Sequence, residues 1–287
     1  MSESMRELEP EYGGLRDKVH QLWKADQESE LEPAELFHYT SAEAFQNILQ
    51  NKTLWASEAL SMNDPTEGIH PGAFVRDRLA ERKDCIPQKI LDEFTDQSLT
   101  QILDSQIFVA SFCDSGDVLG QWRAYARDGR GYAIGFSPRM LLEGISVVAR
   151  LARVEYDAQK LRALAHEIID YGIGVVAHSN MGVEEAESYW GHVADFLIQS
   201  LMRFKHPAFR EEREWRMICL PAPSLVKFRV VGTRLVPYIH LLIPLDAIRT
   251  IRLGPRYTSR DNRVVHSFLR SIGLHKVSVE NSVVPLS

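Results

Sequence analysis

Three observations in the sequence predict an α+β fold. Strand-like segments fall into two clusters, one ending near residue 156 and one beginning near residue 206. A block of long helical periodicity separates them. Nowhere does a regular strand–helix–strand alternation run far enough to specify a parallel, doubly wound sheet. The 287 residues are enough to bury one large core, and the pattern reads as a single domain. Its parts are an N-terminal helical extension over 1–33, a β-rich core over 34–156 and 206–287, and a helical insertion over 157–205.

Taken in order, residues from about 10 to 30 carry Leu15, Val19, Leu22 and Trp23 at helical spacing. LFHY then reads as a short strand. Ser41 is placed to cap a helix over AEAFQNILQ, whose apolar stripe is Phe45, Ile48 and Leu49. TLWAS is a second strand, followed by a turn at Met62-Asn63-Asp64-Pro65 and two mostly helical segments to about Ser105. IFVASFC (107–113) is the strongest strand signal of the first half. Asp117 is placed to cap a helix carrying Leu119, Trp122 and Tyr125. GYAIGF is a strand, Ser137-Pro138 opens a brief helix, and another strand spans about 147–156. Helices are expected over 157–178 and 183–204, then strands at WRMICL, VKFRVV, IHLLIP and IRTIRL. A helix over 258–272 and a strand at HKVSVE close the chain.

Composition narrows the function classes. The 33 basic residues against 39 acidic ones leave a net charge of −6, so no global field favours duplex nucleic acid, although a local basic groove is compatible with it. Cys85, Cys113 and Cys219 form no CxxC pair and are odd in number, which argues for a reducing compartment and against a disulfide framework or zinc ribbon. The polar, acidic N-terminus does not read as a signal peptide, and the apolar runs are too short for a bilayer. A soluble cytoplasmic protein without membrane partners is the expectation.

Several motif matches fail on context. Gly172-Ile173-Gly174-Val175-Val176-Ala177 matches GxGxxA, but it follows a helical pattern where a dinucleotide loop must follow a strand. His192 and Asp195 lie three apart without a third ligand, so no metal site is expected. Cys113 beside Asp114 has no identifiable base partner.

Three groupings remain. Phe37-His38-Tyr39-Thr40-Ser41 is a strand end passing into a helix N-terminus, a place for an anion or ribose phosphate, or simply a capped junction. Ser111, followed by Trp122 and Tyr125, offers a hydroxyl and a stacking wall, or the core face of a short helix. Residues 209–217 read as a strand with Glu212, Glu214 and Arg216 on one face, either a paired-carboxylate site or a solvated edge.

In order, these landmarks resemble an uncharacterised bacterial domain-of-unknown-function family. They read His38-Tyr39-Thr40-Ser41, Asn63-Asp64-Pro65-Thr66-Glu67, Ser111-Phe112-Cys113, Trp122-Arg123-Ala124-Tyr125, Gly131 to Phe136, and Glu212-Arg213-Glu214-Trp215-Arg216, spanning roughly 36–220. Their order is also similar to ADP-ribosyltransferases. That similarity implies a split mixed or antiparallel β-sheet core and NAD as substrate, with no metal. It implies that His38 contacts the adenosine-side ribose, that Tyr39 and Thr40 line the groove, that Ser111 braces it, and that Trp122 or Tyr125 stacks on nicotinamide. Glu214 becomes the catalytic carboxylate and Glu212 the group that orients or deprotonates an acceptor. The acceptor is a protein, a nucleic acid or water, and the biological setting a toxin or phage defence. The alternative is an inactive module that binds a nucleotide or a partner through the same groove.

Overall fold

The computed structural model describes residues 13–19, 21–22, 33–61, 69–86, 107–145, 148–179 and 181–285. It is a mixture of helices and one large sheet and divides into two compact units. One comprises Met1–Leu31, Ala59–Ile107 and Glu155–Pro207; the other comprises Glu32–Glu58, Phe108–Val154 and Ala208–Ser287. The Asn63–Glu67 turn and the segment before Ser105 lie outside the described residues.

The first unit is helical where it is described. Helix Ala158–His178 packs against helix Val183–Leu201 and against Ile69–Glu81. Arg78 and Arg82 both reach Asp170, Arg82 at 3.3 Å. Lys18 donates to Glu167 at 2.7 Å. The GxGxxA segment lies inside helix Ala158–His178, where a side chain at Gly172 would meet Val193 at 3.0 Å. It is a packing contact between helices, as its helical context predicts.

The second unit holds ten strands: β1 (Leu36–Thr40), β2 (Thr53–Glu58), β3 (Phe108–Cys113), β4 (Tyr132–Phe136), β5 (Val148–Arg153), β6 (Glu214–Leu220), β7 (Lys227–Val231), β8 (Arg234–Leu242), β9 (Ile248–Leu253) and β10 (Ser278–Asn281). Their order is β10-β9-β4-β1-β3-β2-β8-β7, with β6 paired to β3 and β5 to β6. The β9–β10 pair is parallel and the others are antiparallel, which makes the sheet mixed. Strand β8 begins earlier than the IHLLIP pattern suggests. Its Pro237 lies beyond the β2 pairing, which ends at Tyr238, so its missing N–H breaks no rung there.

Side chains alternate across the sheet with period two. One face buries Leu36, Leu54, Ala56, Phe108, Ala110, Phe112, Ile134, Phe136, Met217 and Ile251. Helix Ala42–Asn51 adds Phe45, Ile48 and Leu49, and helix Ser259–Ser271 adds Val265 and Leu269. Ser41 caps the former, accepting from the Ala44 N–H at 3.2 Å. The other face carries a smaller cluster of Phe37, Tyr39, Cys113, Trp122, Ala126 and Ala133.

Strand β3 is where the sheet divides. On one edge it pairs with β6 over its full length, from Phe108↔Cys219 to Cys113↔Glu214. On the other edge it meets β1 only at Phe37↔Cys113, and β2 at Ser57↔Val109 and Glu58↔Phe108. Between those contacts β1 and β2 diverge and leave a fork opposite Ser111.

Gly131 opens β4 beneath this junction. A β-carbon there would lie 2.2 Å from the Thr40 carbonyl oxygen. Gly131→Ala is therefore expected to cost about 1–3 kcal/mol through forced backbone displacement. Gly120 sits in helix Leu119–Tyr125 with nothing within 4 Å of its virtual β-carbon. Gly120→Ala is expected to be neutral or to stabilise by up to about 1 kcal/mol. Urea denaturation of the two variants measures the contrast, and equal losses would contradict this account of Gly131.

Candidate functional site

The fork lies among strands that carry parts of the three sequence groupings, with His38 on one face of the sheet and Ser111, Glu214 and Arg216 on the other. Ser111 points its backbone toward the diverging edge, and the His38 imidazole substitutes for the missing strand partner: Nδ1 lies 3.0 Å from the Ser111 carbonyl oxygen. A carbonyl only accepts, so Nδ1 carries the proton and Nε2 keeps its lone pair. The ring also meets the edge of Phe112 at 5.9 Å. Enclosure by its neighbours lowers the His38 pKa, against the opposing pull of the Ser111 carbonyl. Of the two ring nitrogens that the sequence offers to a ribose, one is already committed to the backbone.

Tyr39 faces the opposite side of β1. Its hydroxyl donates to the Ser115 carbonyl at 2.9 Å and accepts from the Val118 N–H at 3.0 Å, which ties the loop after β3 to the sheet. Burial pushes its pKa well above the usual phenol range. Trp122 packs edge-on against Tyr39 at 4.7 Å and is wholly buried. Its indole N–H donates to Asp117 at 2.7 Å. Tyr125, one turn later, is exposed. The two aromatics do not form one stacking wall: Trp122 is core, and Tyr125 alone retains an open surface. Asp117 does not cap that helix either, because Val118 occupies the cap position without a side-chain bond. The Asp117 carboxylate instead gathers Trp122, Ser282 and the Val283 N–H.

Across β3 from the fork, Ser111 stands opposite Arg216 and Cys113 opposite Glu214. Glu214 and Arg216 share a face two residues apart and join through two hydrogen bonds, Nε to Oε1 at 2.9 Å and Nη2 to Oε2 at 3.2 Å. Both are almost fully buried, at 3% and 2% exposure. The two-pronged geometry suits a planar guanidinium against a carboxylate. Beside them the Ser111 Oγ is buried with no hydrogen-bond partner among the described residues.

Glu212 does not belong to this strand face. Residues Pro207–Glu212 form a 3₁₀ turn, and Arg213 follows with φ +50° before β6 begins at Glu214. The left-handed residue breaks the alternation that places Glu212 beside Glu214 in an extended reading of the sequence. The Glu212 backbone carbonyl accepts from Gln121 at 3.3 Å, which anchors the Trp122 helix to the start of β6. Arg213 reaches Asp114 at 2.6 Å. Thr40 is buried at the end of β1, paired with Tyr132.

Burial raises the Cys113 and Cys219 thiols to about 12, so neither is a ready nucleophile at neutral pH. Among the described residues, no group of three His, Cys, Asp or Glu side chains is placed to hold a metal. Among them, too, no helix is long and apolar enough to cross a membrane.

A family described as "Protein of unknown function (DUF2971)" matches residues 121–217. That span is similar to the family from the Trp122 helix, through both long helices, to the first four residues of β6. It contains Trp122, Tyr125, Glu212 and Glu214, while His38, Tyr39, Thr40 and Ser111 lie outside it. No curated protein and no solved structure matches the chain.

The His38 bond has a measurable signature. The unfolded chain takes up a proton on this residue near its ordinary value of about 6.5, while the folded protein resists protonation to lower pH. The unfolded state thus binds more protons in that window. Stability from His38 is complete above about pH 6.5 and declines as pH falls from there to the lowered folded pKa. His38→Gln keeps an N–H donor for Ser111 but does not titrate. Its denaturation free energy is expected to fall less steeply than wild type between about pH 6.5 and 5, and parallel curves would refute the assignment.

Proposed function

We propose that this chain is an ADP-ribosyltransferase-like protein that holds NAD at the fork of its sheet and breaks the bond between nicotinamide and ribose. The observation that supports this reading is the placement of Ser111 beside the buried Glu214 on one face of adjacent strands. His38 from β1, Ser111 from β3 and Glu214 from β6 occur in the chain order of the ADP-ribosyltransferase landmarks on three adjacent strands, with the His38 ring on the opposite face and bonded to the Ser111 carbonyl. In this reading the nicotinamide leaves with the electron pair of the glycosidic bond, and positive charge develops on the ribose. A fixed carboxylate at Glu214 stabilises that charge, and an acceptor in a protein, a nucleic acid or water then attacks the ribose carbon and gives up its proton. Glu212, at the end of the 3₁₀ turn, is the candidate for that proton. The His38 ring lies on the other face, so its part is to hold the Ser111 carbonyl in place, and the stacking role falls to Tyr125, because Trp122 and the Tyr39 hydroxyl are otherwise engaged. NAD is the substrate, no metal takes part, and a toxin or phage-defence effector is the biological setting proposed.

The bidentate Glu214–Arg216 pair favours a second reading, a nucleotide- or partner-binding module without turnover. Arg216 offsets the negative charge that the chemistry requires, so turnover demands that the pair open or that the ribose charge outcompete the guanidinium.

Nicotinamide release and NAD binding separate the two. Wild type is expected to release nicotinamide, and Glu214→Gln to lower release by about 10²–10³-fold with NAD binding retained. Because breaking a buried ion pair costs about 3–5 kcal/mol, Glu214→Gln combined with Arg216→Met serves as the folded, charge-neutral control. NAD binding without release across protein, RNA, DNA and water acceptors would establish the binding module instead. Absence of both binding and release would overturn both.

A further inference from the structure

At the far end of the same sheet, β2, β8 and β7 carry a second group of side chains that the fork does not use. Register places Trp55 opposite His240, Ser57 opposite Tyr238, and Lys227 opposite Tyr238. Their side chains share one face. Trp55 lies 4.6 Å from Tyr238 and stacks almost parallel to His240 at 6.0 Å and 8°. Trp55 remains 44% exposed. The Arg229 guanidinium sits over both aromatics, at 5.2 Å from Trp55 and 5.7 Å from Tyr238, and donates to Ser57 at 2.8 Å.

The charge on these strands is one-sided. Together they carry Lys227, Arg229 and Arg234 with a single carboxylate, Glu58, which alternates to the opposite face from Trp55 and Ser57. A chain of net charge −6 thus concentrates positive charge beside the exposed Trp55 ring. Two polar atoms here have no hydrogen-bond partner among the described residues, the Arg229 Nε and the His240 Nε2. The Lys227 ammonium, 3.3 Å from the His240 Nδ1, donates to it, so Nε2 of the neutral ring carries the hydrogen. It is a buried donor that lacks an acceptor.

We propose that this face binds single-stranded nucleic acid, with a base stacked on Trp55 and the backbone phosphates held by Arg229 and Lys227. Aromatic rings accept any base, cations track the phosphates, and an orphaned N–H supplies a contact to a base or phosphate oxygen. The cations continue along β7 and β8 past the Trp55 site, which suits an extended strand better than an isolated nucleotide. Duplex is disfavoured because its bases are not available to stack. This inference does not depend on NAD turnover.

The test is fluorescence anisotropy of the full chain with labelled oligo-dT and oligo-U of about 12 nucleotides, competed by UMP and by duplex of equal length. Wild type is expected to bind the oligonucleotides at least about tenfold more tightly than UMP or duplex. Trp55→Ala is expected to weaken binding about tenfold, and Trp55→Phe, which keeps a stacking surface, to preserve most of it. Lys227→Ala combined with Arg229→Ala is expected to lower the slope of log K against log salt by about 1.4, two contacts at about 0.7 each. Thermal melting confirms folding of each variant. No binding by wild type, equal binding of UMP and oligonucleotide, a preference for duplex, or Trp55→Ala binding like wild type would each overturn the proposal.

Discussion

The second unit depends on how β3 uses its two edges. One is fully paired with β6, which fixes a continuous six-residue ladder. The other is divided between β1 and β2, strands that are consecutive in sequence and joined by helix Ala42–Asn51. Two strands sharing one edge leave a backbone group without a strand partner where they part. An unpaired buried carbonyl costs about 1–3 kcal/mol, so the fork persists only if something else bonds it. The His38 side chain does so at Ser111. A ring in place of a strand thus satisfies the carbonyl that the parting strands leave.

The same constraint bears on Glu214 and Arg216. Both emerge one strand away from the fork and are almost fully buried, and each offsets the charge of the other. Replacing such a pair by apolar side chains of similar volume is often neutral or stabilising, so its presence is weak support for a purely structural role. The arrangement instead holds a carboxylate and a guanidinium in fixed orientation beside a hydroxyl without a partner, the Ser111 Oγ.

What the sequence made legible was local. Ser41 announces its cap, the IFVASFC run its strand, and GxGxxA its helical context, because each depends on a few adjacent residues. The errors are where a distant partner decides. Asp117 has the composition of a cap, but the Trp122 indole and the chain near Ser282 claim its carboxylate. Glu212 has the spacing of a strand residue until Arg213 turns left-handed against Asp114. Trp122 and Tyr125 share a helical spacing of three, yet Tyr39 buries one and not the other. The Trp55 face has no linear signature at all, since its members come from strands more than 170 residues apart.

Register ties the two regions together. Ser57, which accepts from Arg229, pairs with Val109, and Val109 lies two residues along β3 from Ser111 on the same face. Strand spacing of about 4.8 Å and a rise of about 3.4 Å per residue place the Ser57 and Ser111 backbones roughly 8 Å apart. The cations of β7 and β8 and the exposed Trp55 ring of β2 therefore begin where the fork ends. The internally neutral Glu214–Arg216 pair lies one strand to the other side. On the nucleic-acid proposal, an anionic chain drawn to the first region lies beside the second without any charge at the fork having to recruit it. The two proposed sites thus share one face of the sheet: cations and an exposed ring at its edge, and a buried, compensated carboxylate at its centre.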